Sequence, residues 1–200
     1  MPPRTRFSRE RVLDAAIDLT RVQGIAAISA RAVASQLGCS TAPVFTRFAS
    51  MEALHEALLD RIIAAFVAAI EEAARSITDL DPLLAVGLGW VRFAADEPRL
   101  YEALFLTHHR YHFKWGPIRR MLAARMAEHP RYAALSDAER FALVGRVSVV
   151  VHGLGVEVWS GRLPDPSPAR LSSLLTQLAG PLIDASIAQG WTTDIHSALP

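Results

Sequence analysis

The chain has 200 residues, 51% of them hydrophobic, with 21 basic and 20 acidic groups for a net charge of +1. That is a globular, helix-leaning composition, long enough to bury a core in one large or two small domains. No run of roughly 18 uncharged apolar residues offers a membrane span, and the polar, basic N-terminus is unlike a secretory leader. The single cysteine, Cys39, excludes an internal disulfide and a cysteine-based metal cluster, so the cytoplasm is the expected compartment.

Charge is unevenly spread. Residues 1–50 carry seven arginines against Glu10, Asp14 and Asp18, a net of +4, whereas residues 51–200 carry 14 basic against 17 acidic groups, a net of −3. A small basic module on a mildly acidic body suits a protein that meets phosphate at one end.

Ser8 is placed to cap a first helix running to about Val22, with Val12, Ala15, Ala16 and Leu19 on one face. Gly24 ends it and Ser29 caps the next. Ser50 caps a long helix to about Arg75, striped by Leu54, Leu58, Ile62, Ala65, Phe66, Ala69 and Ile70. Asp79 to Pro82 breaks the chain before an apolar helix containing Trp90 and Phe93. Glu97-Pro98 breaks it again before a helix from Arg99 to about His108. His108 to Gly116 is aromatic and irregular. Helices are then expected over about 118–128, from Ser136 to Ser160, and over about 169–189 after a loop with three prolines. Strand alternation and internal repeats are absent from the sequence, so the expected fold is all-α with about nine helices.

Residues 29–48 are the most informative stretch. They form two short helices around a Gly38-Cys39-Ser40 turn, with Val33, Ala34 and Leu37 as the inner face of the first and Val44, Phe45 and Phe48 as that of the second. A slim second helix with small polar groups outward is the build of a helix-turn-helix, whose second helix enters the DNA major groove.

Ala15-Ala16, Gly24, Val33-Ala34, Leu37-Gly38, Ser40, Phe48, Glu52 and Leu54 fall at spacings that resemble the TetR family of transcriptional regulators. Trp90-Val-Arg-Phe-Ala, Pro98-Arg-Leu-Tyr and Val151-His-Gly-Leu-Gly resemble one class of that family's regulatory domains. The resemblance implies an N-terminal three-helix DNA-binding domain over residues 1–50 and a helical ligand-binding and dimerisation domain over 51–200. It implies a ligand-responsive regulator, a homodimeric repressor released from a palindromic operator by a small apolar effector. Two residues depart from the family pattern. Phe45 stands where Tyr usually donates to a DNA phosphate, and Met51 where Lys usually meets the backbone. The Phe45 ring is still expected to pack in the core. The alternative is a TetR-like protein that has weakened or lost DNA binding and acts through a protein partner.

The resemblance places Arg31, Ser40, Thr41, Ala42, Phe45, Thr46 and Arg47 at the DNA. Arg47 is a candidate to pair with guanine or, lying late in its helix, to meet only phosphate. Arg31 is a phosphate contact, and Arg4, Arg6 and Arg9 of the N-terminal arm are candidate replacements for the missing anchors. Cys39 reads as a small hydrophobe rather than a redox switch. His108, His109 and His112 lack a carboxylate or cysteine at ligand spacing, so no metal is expected. Glu52-x-x-His55 is half of a di-iron pattern whose other parts are missing. With no nucleophile–base pair or cofactor motif, the chain does not read as an enzyme. Trp90, Phe93, Phe105, His109, Met121, His152 and Trp159 are the expected ligand-pocket residues, with His152 bonding either a neighbour or a ligand. Val150, Val151, Leu154, Leu171, Leu174, Leu175, Leu178 and Leu182 make the last two long helices apolar on more than one face, and are the expected dimer interface.

Overall fold

Five serines start five of the helices. The hydroxyls of Ser8, Ser29, Ser50, Ser136 and Ser167 accept the backbone N–H three residues on, at 3.2, 3.2, 3.1, 3.3 and 3.4 Å. At Ser136 the Glu139 carboxylate returns the bond to the serine N–H at 2.6 Å, completing a capping box. The computed structural model describes residues 7–107 and 115–195, and among these there are nine α-helices and no strand. They are α1 (Arg9–Gln23), α2 (Ala30–Gln36), α3 (Ala42–Arg47), α4 (Met51–Ser76), α5 (Pro82–Asp96), α6 (Pro98–Tyr101), α7 (Trp115–Met126), α8 (Asp137–Trp159) and α9 (Pro168–Gln189). One stretch departs from expectation. The helix foreseen from Arg99 to His108 is a single α-turn that widens into a π-helix over Glu102–Leu106, closed by Thr107 N–H to Glu102 O at 3.0 Å.

The chain forms two compact units, residues 1–66 with 97–112, and residues 67–96 with 113–200. A boundary at residue 50 falls inside the first unit, because α4 up to Phe66 packs its Leu54, Leu58 and Ile62 stripe into that core. There α1 packs on α2, α3 and α6, burying Val12, Ala16, Val33, Val44 and Leu100. Arg21 grips Glu97 with both Nε and Nη2 at 2.9–3.1 Å.

In the second unit α5 packs on α8 and α9, and α7 packs on α8. Helix α8 is long and apolar enough to cross a membrane by length and composition, but half of its most apolar window is buried in the protein. Two polar locks tie the helix ends together. The Tyr132 hydroxyl, fully buried, donates to both oxygens of Asp81 at 2.6 and 2.7 Å, while Asp81 caps α5 through the Leu83 N–H at 2.9 Å. Burial and the adjacent carboxylate push the Tyr132 pKa well up. Arg131 joins Asp81 to Asp184 of α9. The second lock holds the segment after α9. Arg119 of α7, only 2% exposed, donates to Asp194 at 2.7 Å and to the Phe141 carbonyl at 3.0 Å. Arg146 of α8 donates to the carbonyls of Trp191 and Thr193.

The dimer-interface expectation needs correction at four positions. Val151, Leu154, Leu171 and Leu175 are 2%, 7%, 0% and 0% exposed in the single chain, so the protomer's own core already uses them. Val150, Leu174 and Leu182 are half-buried and Leu178 is 53% exposed, leaving these four on the surface.

Candidate nucleic-acid interface

The turn between α2 and α3 is fixed by backbone chemistry. Cys39 N–H bonds the Ala34 carbonyl at 3.0 Å and Gly38 N–H bonds Ser35 at 3.1 Å, a Schellman closure that needs its glycine at φ +65°. A side chain at residue 38 would be strained there. Val33 and Ala34 of α2 and Val44 with Phe48 at the end of α3 are buried, holding the back of α3 against the core. Leu37 and Cys39 are half-buried.

The outward surface differs from expectation at Phe45. Its ring is 51% exposed and does not pack in the core. Val44 and Phe48 are four apart and share the inner face, whereas Phe45 lies about 100° round the helix from Val44. Beside it Ser40, Ala42 and Thr46 are exposed, and Thr41 is half-buried. The Thr46 hydroxyl donates to the Ala42 carbonyl at 2.8 Å, which commits its proton and leaves its methyl and lone pairs outward. The exposed outer face of α3 therefore presents the Phe45 ring among small side chains.

Arg47 is half-buried, and its Nε donates to the Phe7 carbonyl at 2.9 Å. Arg9 lies over the Phe48 ring at 4.7 Å and Arg11 over the Phe7 ring at 5.7 Å, so the start of α1 docks on the end of α3. Glu10, held as a carboxylate by backbone N–H and the Ser8 hydroxyl, has its pKa lowered. Arg31 is exposed, and Met51 is half-buried at the start of α4. Arg4 and Arg6 lie outside the described residues.

The expected ligand residues that are described fall in both units. Trp90 and Phe93 are each 5% exposed. Trp90 packs edge-on against Trp115 at 4.9 Å and lies 6.5 Å from His152, whose pKa burial lowers. The crevice that Trp90 lines holds about 10 Å³, room for no more than about one water. Phe105 belongs to the first unit, where it packs on Phe66 and Tyr101 at 5.2 and 5.0 Å. Met121 is half-buried, and Trp159 is 36% exposed at the end of α8. His109, like His108 and His112, lies outside the described residues. A larger cleft of about 310 Å³ opens elsewhere in the second unit, lined by residues that include Arg75, Leu122, Arg125, Met126 and His129. These residues carry no motif, which is why the sequence did not single them out. Among the described residues no group of three or more His, Cys, Asp or Glu is placed to hold a metal ion.

Residues 12–58 match the family model of bacterial regulatory proteins of the tetR family. No curated protein matches the chain. Among solved structures, the chain is similar to a TetR-like transcriptional regulator from Rhodococcus sp. RHA1, at 19% identity and a TM-score of 0.64, over 92% of this chain and 98% of that one. The turn at Gly38, the buried back of α3 and the family match all fall within one segment. Residues 12–58 thus carry the likeness to the tetR family of bacterial regulatory proteins, and the chain shares the fold of that TetR-like transcriptional regulator.

Proposed function

We propose that this protein is a cytoplasmic homodimeric repressor that binds a near-palindromic operator in double-stranded DNA and is released by a small, mainly apolar effector. The observation that carries the reading is the outer face of α3, where Ala42, Phe45 and Thr46 stand exposed on a slim helix backed by buried Val44 and Phe48. Such a helix fits the major groove. With Arg47 held by Phe7, the base-reading groups are apolar: the methyls of Ala42 and Thr46 and the Phe45 ring meet thymine C5-methyl groups. Arg31, Arg9, Arg4 and Arg6 supply phosphate contacts in place of the missing Tyr and Lys donors.

Val150, Leu174, Leu178 and Leu182 remain for a two-fold interface, joined by Val149 at 55% exposure. A two-fold dimer sets two α3 helices one DNA turn or more apart. The effector acts by its differential affinity for conformations with right and wrong half-site spacing, so it lowers DNA affinity by no more than that difference. The test is in-vitro selection of bound DNA with the purified protein. Enrichment of a two-fold, thymine-bearing consensus supports the reading, and a pool without enrichment contradicts it.

The exposed Phe45 ring, with no donor at Met51, also favours a second reading. In it this face docks a protein partner and DNA binding is lost. That reading requires the same selection to enrich nothing.

A further inference from the structure

We propose that the 310 Å³ cleft formed by the last turns of α4, the start of α5 and the end of α7 is the effector site, and that its ligand is an amphipathic anion, an apolar chain with one carboxylate-type head. This rests on the ligand-responsive reading above. The volume lies at the lower end of small-molecule sites. The wall is apolar at Leu83, Leu122 and Met126, each at most 5% exposed, while Arg75, Arg125 and His129 face it with Glu128 as the one carboxylate among the lining residues.

Both arginines have capacity to spare. Arg75 meets Glu72 through Nη2 at 2.8 Å, between side chains 60% and 66% exposed, and Arg125 meets Glu71 through Nη2 at 3.0 Å. Exposed pairs of this kind are weak, and each guanidinium keeps further N–H donors. The His129 Nδ1 accepts the Arg131 backbone N–H at 3.3 Å, so the neutral ring carries its proton on Nε2 and is a donor. An anionic head gains charge-assisted hydrogen bonds here that an alcohol or an ammonium does not. Leu83 and Leu122 also line the crevice beside Trp90 and Trp115, so a bound chain is read by indole fluorescence. Arg75 sits in the last turn of α4, the helix whose first turn follows α3 in sequence.

The test titrates the full-length protein with decanoate, decanol and decylammonium below their micellar concentrations, by calorimetry and tryptophan fluorescence. Decanoate should saturate at one per protomer and bind at least about tenfold tighter than the other two. Arg125→Gln should remove most of that preference while leaving decanol affinity and the melting temperature unchanged, and Arg75→Gln should reduce it. Equal affinity for the three probes, no decanoate binding, or a preference that survives both substitutions overturns the proposal. Decanoate bound as described, but without effect on the selected DNA, upholds the site and contradicts the ligand-responsive reading. Selective DNA binding without decanoate binding does the reverse.

Discussion

The Arg47 Nε donates to the Phe7 carbonyl at 2.9 Å, so the one base on α3 is tied to the backbone just ahead of α1. In the proposed function, Arg47 then acts on DNA through the segment that begins at Phe7 rather than directly. Arg47→Gln, and replacement of Arg4 and Arg6 by Gln, should each weaken binding and flatten its salt dependence. Combined, they should cost little more than either alone, a coupling on the order of 1 kcal/mol. Additive losses in a DNA titration would place Arg47 on the DNA itself.

With the Phe45 ring 51% exposed, the proposed function makes thymine methyls the discriminating groups. Replacing a contacted thymine by uracil should cost about 0.8 kcal/mol, about fourfold in affinity, with the salt slope unchanged. The loss should vanish in Phe45→Ala at the thymine that this ring covers. Uracil tolerated at every selected position would remove the methyl contacts from the account.

Gly145 is constrained by Arg119, because a Cβ at residue 145 would lie 2.5 Å from Arg119 Nη2. That guanidinium has nowhere to go, since it stacks on the Phe141 ring at 3.9 Å and is bonded to Asp194. Gly145→Ala should therefore destabilise by about 1–3 kcal/mol, a fall of several degrees in Tm. Asp194→Asn, which leaves the buried charge with a weaker partner, should cost about 2 kcal/mol. Melting temperatures equal to wild type would show that the segment after α9 is not held as described.

Burial lowers the His152 pKa below its ordinary 6.5. The unfolded chain thus takes up this proton first as pH falls, so stability declines as pH drops below about 6.5 and levels off below the folded value. His152→Gln should flatten that part of the stability–pH curve, measured by denaturant unfolding. A slope unchanged by the substitution would assign the loss to other groups.

Local signals were legible in the sequence and orientation was not. Ser8, Ser29, Ser50 and Ser136 mark helix starts because a cap needs only a hydroxyl and the next turn, and Gly38 marks its turn because only glycine takes φ +65° without strain. Helices apolar all round, however, do not say which face turns inward. Leu171 and Leu175 went into the core and Leu178 to the surface, though all three are leucines on one helix. The same ambiguity hid Phe45. Clustered aromatics do not say which rings meet, and the edge-on pairing of Trp90 with Trp115 at 4.9 Å is carried by no sequence pattern. Arg119 and Asp194 meet across 75 residues, a distance at which periodicity carries no information.

The most direct test of the central claim is fluorescence anisotropy of a labelled duplex of the selected consensus, titrated with the protein at several salt concentrations beside a scrambled duplex. Saturable binding that prefers the consensus at every salt is expected, with log affinity falling linearly against log salt as phosphates are neutralised. Equal affinity for consensus and scrambled duplexes, or no binding to either, would contradict it.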